Sequence, residues 1–257
     1  MRLKTFILQE SRSKEITEKE SIDLIKKNCK QSLKGTPIYR GIKRSTEFYL
    51  SIDPKRTAEP RVSANTKNYY TLINDNSPYW NKYPKRSQSI ICSTNEDKIL
   101  GYGFPFRVFP YDGAKIGVCP ADDYWLSFKK SIHANLNDFN YQLFDMIKYR
   151  MSIHDFSDES YNNIVKSFKI FDEKWKEIKD DPQKMDVFKK NYNFITGYDP
   201  DKTTFLEYVQ MLLSPKPNGF KLSKSGDKLP ESREVWTDSK SILVATNVLE
   251  DVLKELS

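Results

Sequence analysis

Three short segments place polar side chains of reactive type inside apolar runs: Ile38-Tyr39-Arg40-Gly41, Ile90-Ile91-Cys92-Ser93-Thr94-Asn95 and Ser232-Arg233-Glu234-Val235-Trp236. In chain order they supply an arginine, a serine–threonine pair and a glutamate. A guanidinium in an apolar strand must find a partner, because burying it unpaired is costly. Its planar fork suits phosphate, and Gly41 beside it would let a ligand or another backbone come close. Ser93 and Thr94 end an apolar run, where a hydroxyl can fix the rotamer of a neighbouring carboxylate or cap the segment that follows. Glu234 opens an apolar strand just after a polar loop. A carboxylate there can stabilise the positive charge that develops on a sugar as its glycosidic bond opens. Each residue also has a plain structural reading: Arg40 on a solvent face or in a salt bridge, and Glu234 paired with Arg233 or Lys240.

The remaining composition narrows the chemistry. Of 257 residues, 42 are basic and 35 acidic, a net charge of +7, and the charged and hydrophobic shares of 30% and 38% suit a soluble globular protein. A basic balance favours polyanionic partners, including nucleic acid and phosphate-rich substrates. No apolar run approaches the roughly 18 residues that span a bilayer, so no membrane partner is expected. The start, Met1 to Leu8, is basic but lacks a long apolar core, so no signal peptide is expected and the cytoplasm fits best. Cys29, Cys92 and Cys119 are odd in number and far apart, which argues against a disulfide framework or a zinc site and for a reducing compartment. His133 and His154 are the only histidines, and both sit in or at the end of helical patterns. Histidine triads and histidine-rich metal sites therefore lack material. The chemistry falls to carboxylates, arginine and hydroxyls, with no metal.

The elements that must position these groups are legible in the hydrophobic spacing. Thr17-Glu18-Lys19-Glu20 forms a capping box, and Ile22, Ile25, Cys29 and Leu33 continue it as an amphipathic helix that ends at Gly35. Pro37–Ile42, Gln88–Cys92, Phe104–Phe109 and Lys115–Cys119 read as strands punctuated by Gly and Pro. A helix is expected near Thr66–Leu72 within the long polar and aromatic stretch between the first two strands. From about 127 to 213 the period turns helical, as in Tyr161, Ile164, Phe168, Phe171, Trp175 and Ile178, whose aromatic stripe reads as packing. Glu234–Thr237 and Ser241–Ala245 flank Asp238-Ser239-Lys240, which has the composition of a tight hairpin turn. Val248, Leu249, Val252, Leu253 and Leu256 then form a closing helix. The fold class is α+β.

Arg in a first strand, Ser-Thr ending a middle strand and Glu opening a late one resemble the R-S-E class of mono-ADP-ribosyltransferases. Ile91-Cys92-Ser93-Thr94-Asn95 with Ile99, Leu100 and Tyr102-Gly103 is similar to the family's Ser-Thr-Ser strand and the aromatic-bearing helix after it. The resemblance covers about 35–125 and 215–246. It implies a split β-sheet core over residues 1–257, with an N-terminal helix and with 127–213 as a helical insertion or lid. It implies NAD as co-substrate and a macromolecular acceptor, protein or nucleic acid. Glu234 would be the catalytic carboxylate, Ser93 would orient the site and Arg40 would hold the NAD phosphates. Gly41, Thr94 and Tyr102 would also lie against NAD, with Phe104 and Tyr70 as further rings that could stack on nicotinamide.

The chain departs from the family pattern at two places: Asn95 stands where the family has the second Ser, and Ser232 stands two before Glu234, where it usually has Glu or Gln. The second position normally helps engage the acceptor, and Glu231 could serve instead only if the loop bulges. The basic loop Lys221–Arg233 would then face an acidic or nucleic-acid acceptor. Three other readings stay open, one of them a structural or interaction protein built around the helical block. Water as acceptor makes the chain an NAD glycohydrolase, and Tyr79–Arg86, which interleaves rings and cations, could serve a non-catalytic nucleic-acid-binding protein.

Overall fold

The computed structural model describes residues 13–43, 47–56, 69–157 and 159–257. Its strands are β1 (Ser13–Glu15), β2 (Ile38–Ile42), β3 (Tyr49–Ile52), β4 (Ile90–Ser93), β5 (Phe104–Pro110), β6 (Lys115–Val118), β7 (Lys221–Lys224), β8 (Glu234–Thr237) and β9 (Ser241–Ala245). Its α-helices are α1 (Glu18–Asn28), α2 (Tyr69–Asn76), α3 (Lys129–Ile132), α4 (Leu136–Phe144), α5 (Tyr161–Ile178), α6 (Pro182–Asn191), α7 (Phe205–Leu212), α8 (Pro215–Asn218) and α9 (Leu249–Leu256). They divide into a sheet unit and a helical unit.

In the sheet unit the strands pair in the order β1-β3-β9-β5-β2-β4-β8-β6-β7, with each ladder antiparallel. β9 shows why the sheet is buried on both sides. Ile242 and Val244 join Phe109, Ile25, Cys29 and Val252, while Leu243 and Ala245 join Phe106, Val108, Cys92 and Val235. The period of two in Ser-Ile-Leu-Val-Ala thus feeds two cores. α1 and α9 cover the first of them, so the chain's two terminal amphipathic helices share one layer. The Thr17 capping box starts α1 as its sequence requires, but the helix stops at Asn28 and a turn carries the chain on to Gly35.

The hairpin expected at residues 238–240 is not there. β8 pairs with β4 and β6, and β9 pairs with β3 and β5. From β8 to β9 is four strand steps, about 19 Å across a flat sheet, whereas three linking residues reach at most about 15 Å. The sheet must therefore curve back on itself, and the Leu243–Ala245 core lies inside the curve with residues from both halves. The ladder is thinnest between β2 and β4, where Tyr39↔Ser93 is the single registered pair, against five pairs between β2 and β5 and four between β4 and β8.

The helical unit comprises residues 124–219 together with the stretch from α2 to Asn81, a wider span than the 127–213 block. The expected helix near Thr66–Leu72 is found as α2, from Tyr69; residues before it lie outside the described set. The aromatic stripe of α5 is core: Phe168, Phe171 and Trp175 are buried, and Phe205 of α7 stacks 4.1 Å from Phe171. Asp172 on α5 accepts hydrogen bonds from the Phe205 N–H and the Tyr198 hydroxyl, and so satisfies the first turn of α7. No helix among the described residues is long and apolar enough to cross a membrane.

Candidate active site

β2, β4 and β8, which carry the three sequence segments, are consecutive in the sheet. Their register aligns Tyr39, Ser93 and Glu234 in one row across three strands. Ser93 and Glu234, 141 residues apart in sequence, are thus direct cross-strand neighbours. Directly opposed residues of an antiparallel pair project from the same face, with Cβ atoms about 4.5–5.5 Å apart.

Arg40 lies one residue beyond Tyr39, so strand alternation sets it on the face of Ile38, Cys92 and Val235, opposite that of Ser93 and Glu234. Its Nη1 donates to the carbonyl of Ile91, 3.0 Å away, where the β2–β4 ladder has thinned. The side chain so satisfies a strand carbonyl that continued pairing would otherwise take. Burial lowers the guanidinium pKa from its usual value, while Cys92, Glu234 and Tyr102 oppose that effect and Arg86 adds to it. Glu234 thus lies within the electrostatic reach of Arg40.

Glu234 is not paired with Arg233 or Lys240. Its Oε1 takes a charge-assisted hydrogen bond from Nη2 of Arg86 at 2.5 Å, and the two side chains are only 16% and 10% exposed. Arg86 sits on a 3₁₀ turn, Arg86–Gln88, that follows Tyr83-Pro84-Lys85. Trp236, two residues along β8 from Glu234, anchors that segment. Its Nε1 donates to the Pro84 carbonyl at 2.9 Å, its ring stacks on Tyr83, and the Arg86 guanidinium lies over it at 5.8 Å. Gly117 opposite makes room, since a Cβ there would fall 2.2 Å from the indole.

The Ser-Thr-Asn segment works as a clamp on the loop before Glu234. The Thr94 hydroxyl donates to the Pro230 carbonyl at 2.8 Å and accepts from the Arg233 N–H at 3.0 Å. The Thr94 N–H donates to the Arg233 carbonyl. Asn95 Nδ2 donates to Ser232 Oγ at 3.1 Å, and Ser232 holds a positive φ of 51°. Ser93 Oγ accepts from the Asn95 N–H at 3.0 Å, a contact that starts the turn after β4, while its backbone lies in register with Glu234.

Gly41 does permit a close approach, and it is the chain's own turn that makes it. A Cβ at Gly41 would lie 2.5 Å from the Ile99 carbonyl, and one at Gly103 would lie 2.4 Å from Ile42. The segment after Asn95 is a 3₁₀ turn, Asp97–Tyr102, packed on β2 by these two glycines. That turn presents Tyr102, and the start of β5 presents Phe104, to solvent at 60% and 47% exposure, whereas Tyr70 is buried against Tyr124 and Trp125 in the helical unit.

The stretch read as a basic loop at residues 221–233 is in part an edge strand, β7 on β6. Its remainder is pinned: Thr36 Oγ1 accepts from the Leu229 N–H at 2.8 Å, and Gly226 sits against Gly35. Lys221, Lys224 and Lys228 are exposed along it. The rings and cations of Tyr79–Arg86 are largely engaged internally. Trp80 donates from Nε1 to the Leu213 carbonyl, and Tyr83 and Arg86 are held as described, leaving Tyr79, Lys82 and Lys85 exposed. Among the described residues no three His, Cys, Asp or Glu side chains gather into a metal-holding cluster.

Arg86 and Asn95 are the residues that sequence reasoning left without a role at Glu234. Arg86 was visible as a cation between aromatic residues, but nothing local ties it to a carboxylate 148 positions away. Compared with known proteins, the chain matches no family model, no curated protein and no solved structure.

Proposed function

We propose that this protein is an ADP-ribosyltransferase of the R-S-E type, built on that family's split-sheet core. On this reading it opens the nicotinamide–ribose bond of NAD and transfers ADP-ribose to a protein or nucleic-acid acceptor. The observation that carries the reading is the adjacency of β2, β4 and β8, with Ser93 directly opposite Glu234. Glu234 then stabilises the oxocarbenium charge on the ribose and bonds its hydroxyls. A serine hydroxyl that accepts from the Asn95 N–H still has its proton to donate, and Ser93 uses it to orient Glu234. Arg40 supplies positive charge for the pyrophosphate, and Tyr102 or Phe104 offers an exposed ring to nicotinamide. Exposed Lys221, Lys224 and Lys228 suit an anionic acceptor, and the cytoplasm suits the supply of NAD.

One observation favours a second reading, hydrolysis of NAD. At the position from which the family engages its acceptor stands Ser232, a short hydroxyl turned toward Asn95 where the family has a longer Glu or Gln. Water would then take the place of the macromolecule.

Purified protein incubated with labelled NAD and a cell lysate, alongside Glu234→Gln, separates these outcomes. Label in protein or nucleic acid that is lost in the variant supports the transferase. Free ADP-ribose without labelled macromolecule supports the hydrolase. No NAD consumption by the folded wild type overturns both.

A further inference from the structure

We infer that Arg86 is a positioning residue for the reaction at Glu234, an inference that rests on the NAD-cleaving reading. The argument begins with how Arg86 is held. Pro84, Tyr83 and Arg86 itself all lie against Trp236, and Ser89 Oγ donates to the Lys85 carbonyl at 2.6 Å to close the turn. These contacts hold the segment without involving the Glu234 side chain, and they bring the guanidinium over the same ring. Trp236 and Glu234 are on the same strand, two residues apart, and side chains at that spacing share a face. One aromatic ring thus sets both the cation and, through β8, the strand that bears the anion.

The consequence is a carboxylate restrained from three sides. Its backbone is in register with Ser93, the loop before it is clamped by Thr94 and Asn95, and its Oε1 is held by Arg86. An ionised glutamate has two oxygens with several acceptor sites. Arg86 Nη2 holds Oε1 at 2.5 Å, which restrains the rotation of the group and so its orientation. Arg86 also sets a full positive charge beside the carboxylate in a largely buried place, and a carboxylate aimed at the ribose is what stabilises a cationic sugar. Arg86 acts through Glu234 and takes no direct part in the bond that breaks.

A purely structural ion pair would behave differently, because replacing it would change stability and leave turnover of the folded molecules alone. The test measures nicotinamide release by wild type, Arg86→Lys, Arg86→Met and Glu234→Gln, and by Arg86→Met combined with Glu234→Gln, each checked for fold by circular dichroism. Losing the restraint should lower kcat of Arg86→Met by about 10²-fold, the effect of a misplacement near 1 Å. KM for NAD should change little. Arg86→Lys, which restores a donor and a charge, should recover part of the loss. In the Glu234→Gln background, Arg86→Met should cost almost nothing more, since residues acting as a unit are not additive. Wild-type kcat in folded Arg86→Met, or an equal loss in both backgrounds, overturns the role of Arg86 and leaves the proposed reaction standing. If Arg86→Met does not fold, Arg86→Lys decides: a lower kcat at constant KM supports the role, and wild-type kinetics overturn it. A folded wild type that never releases nicotinamide overturns the reaction and the role together.

Discussion

The side chains of Asn95 and Ser232 are hydrogen-bonded to each other, 3.1 Å from Nδ2 to Oγ, across the gap between the end of β4 and the loop that enters β8. They are the two positions at which the chain departs from the motif it resembles, so the departures are coupled. Ser232 holds a φ of 51°, which costs an L-residue roughly 1–2 kcal/mol. Ser232→Ala keeps that cost and loses the hydrogen bond, so it should destabilise by about 1 kcal/mol. Ser232→Gly loses the bond but relieves the backbone and should come out near neutral. In a cycle with Asn95→Ala, coupling of about 0.5 kcal/mol or more by urea unfolding is expected for contacting residues. Strict additivity would mean that the contact carries no energy.

Thr94 holds the same loop through its hydroxyl, which serves one donor and one acceptor of the backbone. Thr94→Val keeps the shape and removes both bonds, a loss of about 1–3 kcal/mol where the Arg233 N–H is left unmatched. On the proposed function, turnover of NAD should fall along with stability, because the loop runs straight into Glu234. Loss of stability with unchanged kcat would show that the clamp does not reach the carboxylate.

The glycines of the 97–103 turn provide an internal contrast. A Cβ at Gly103 or Gly41 meets backbone atoms at 2.4 and 2.5 Å, while one at Gly101 meets nothing within 4 Å. Gly41→Ala and Gly103→Ala should therefore each cost about 3 kcal/mol or more, at the upper end of overpacking effects. Gly101→Ala should be neutral or stabilising by up to about 1 kcal/mol. Thermal unfolding of the three variants is the measurement, and equal midpoints would contradict the packing of this turn on β2.

What the sequence disclosed follows from what is local. β2, β4, β5, β6, β8 and β9 announce themselves as apolar runs because each is buried, and the cap and stripe of α1 and α5 are set within a few turns. β7 was hidden because Lys-Leu-Ser-Lys is an exposed edge with the composition of a loop. Residues 238–240 imitate a hairpin turn, since turn composition reports a change of direction and not the partner of the next strand. Arg40, Ser93 and Glu234 could be singled out one by one, and their three strands do lie side by side. The partner of Glu234 could not be found, because Arg86 reaches it only through the packing of Trp236 against residues 83–86. Pairings over such separations belong to the tertiary fold.

Cys29 predicts a pH dependence of stability. Burial, with a smaller contribution from Asp112, pushes its thiol up from an ordinary value of 9.0 to about 12, and its Sγ donates to the Phe109 carbonyl. The folded state therefore favours the neutral thiol more than the unfolded state does. That contribution is complete below about pH 9 and is lost as pH rises from there through about 12. Cys29 should resist iodoacetamide at pH 8 until the chain unfolds, and Cys29→Ser should flatten the alkaline fall in stability. Rapid alkylation of the native protein at Cys29 would contradict the burial.

Substitutions of Glu234 separate its chemistry from its place in the fold. Glu234→Gln preserves shape and leaves an oxygen for Arg86, so the expected loss of stability is about 1–2 kcal/mol, the difference between a charged and a neutral hydrogen bond. Glu234→Ala leaves the largely buried Arg86 without this partner and should cost more, up to about 3 kcal/mol after allowance for partial exposure. On the proposed function, NAD cleavage should fall at least about 10²-fold in both, because removing a charge aimed at the transition state costs that much even where the fold is untouched. The two variants would then differ in unfolding temperature and agree in activity. Activity that instead followed the unfolding temperature, with Glu234→Gln near wild type, would make Glu234 the structural counter-ion of Arg86.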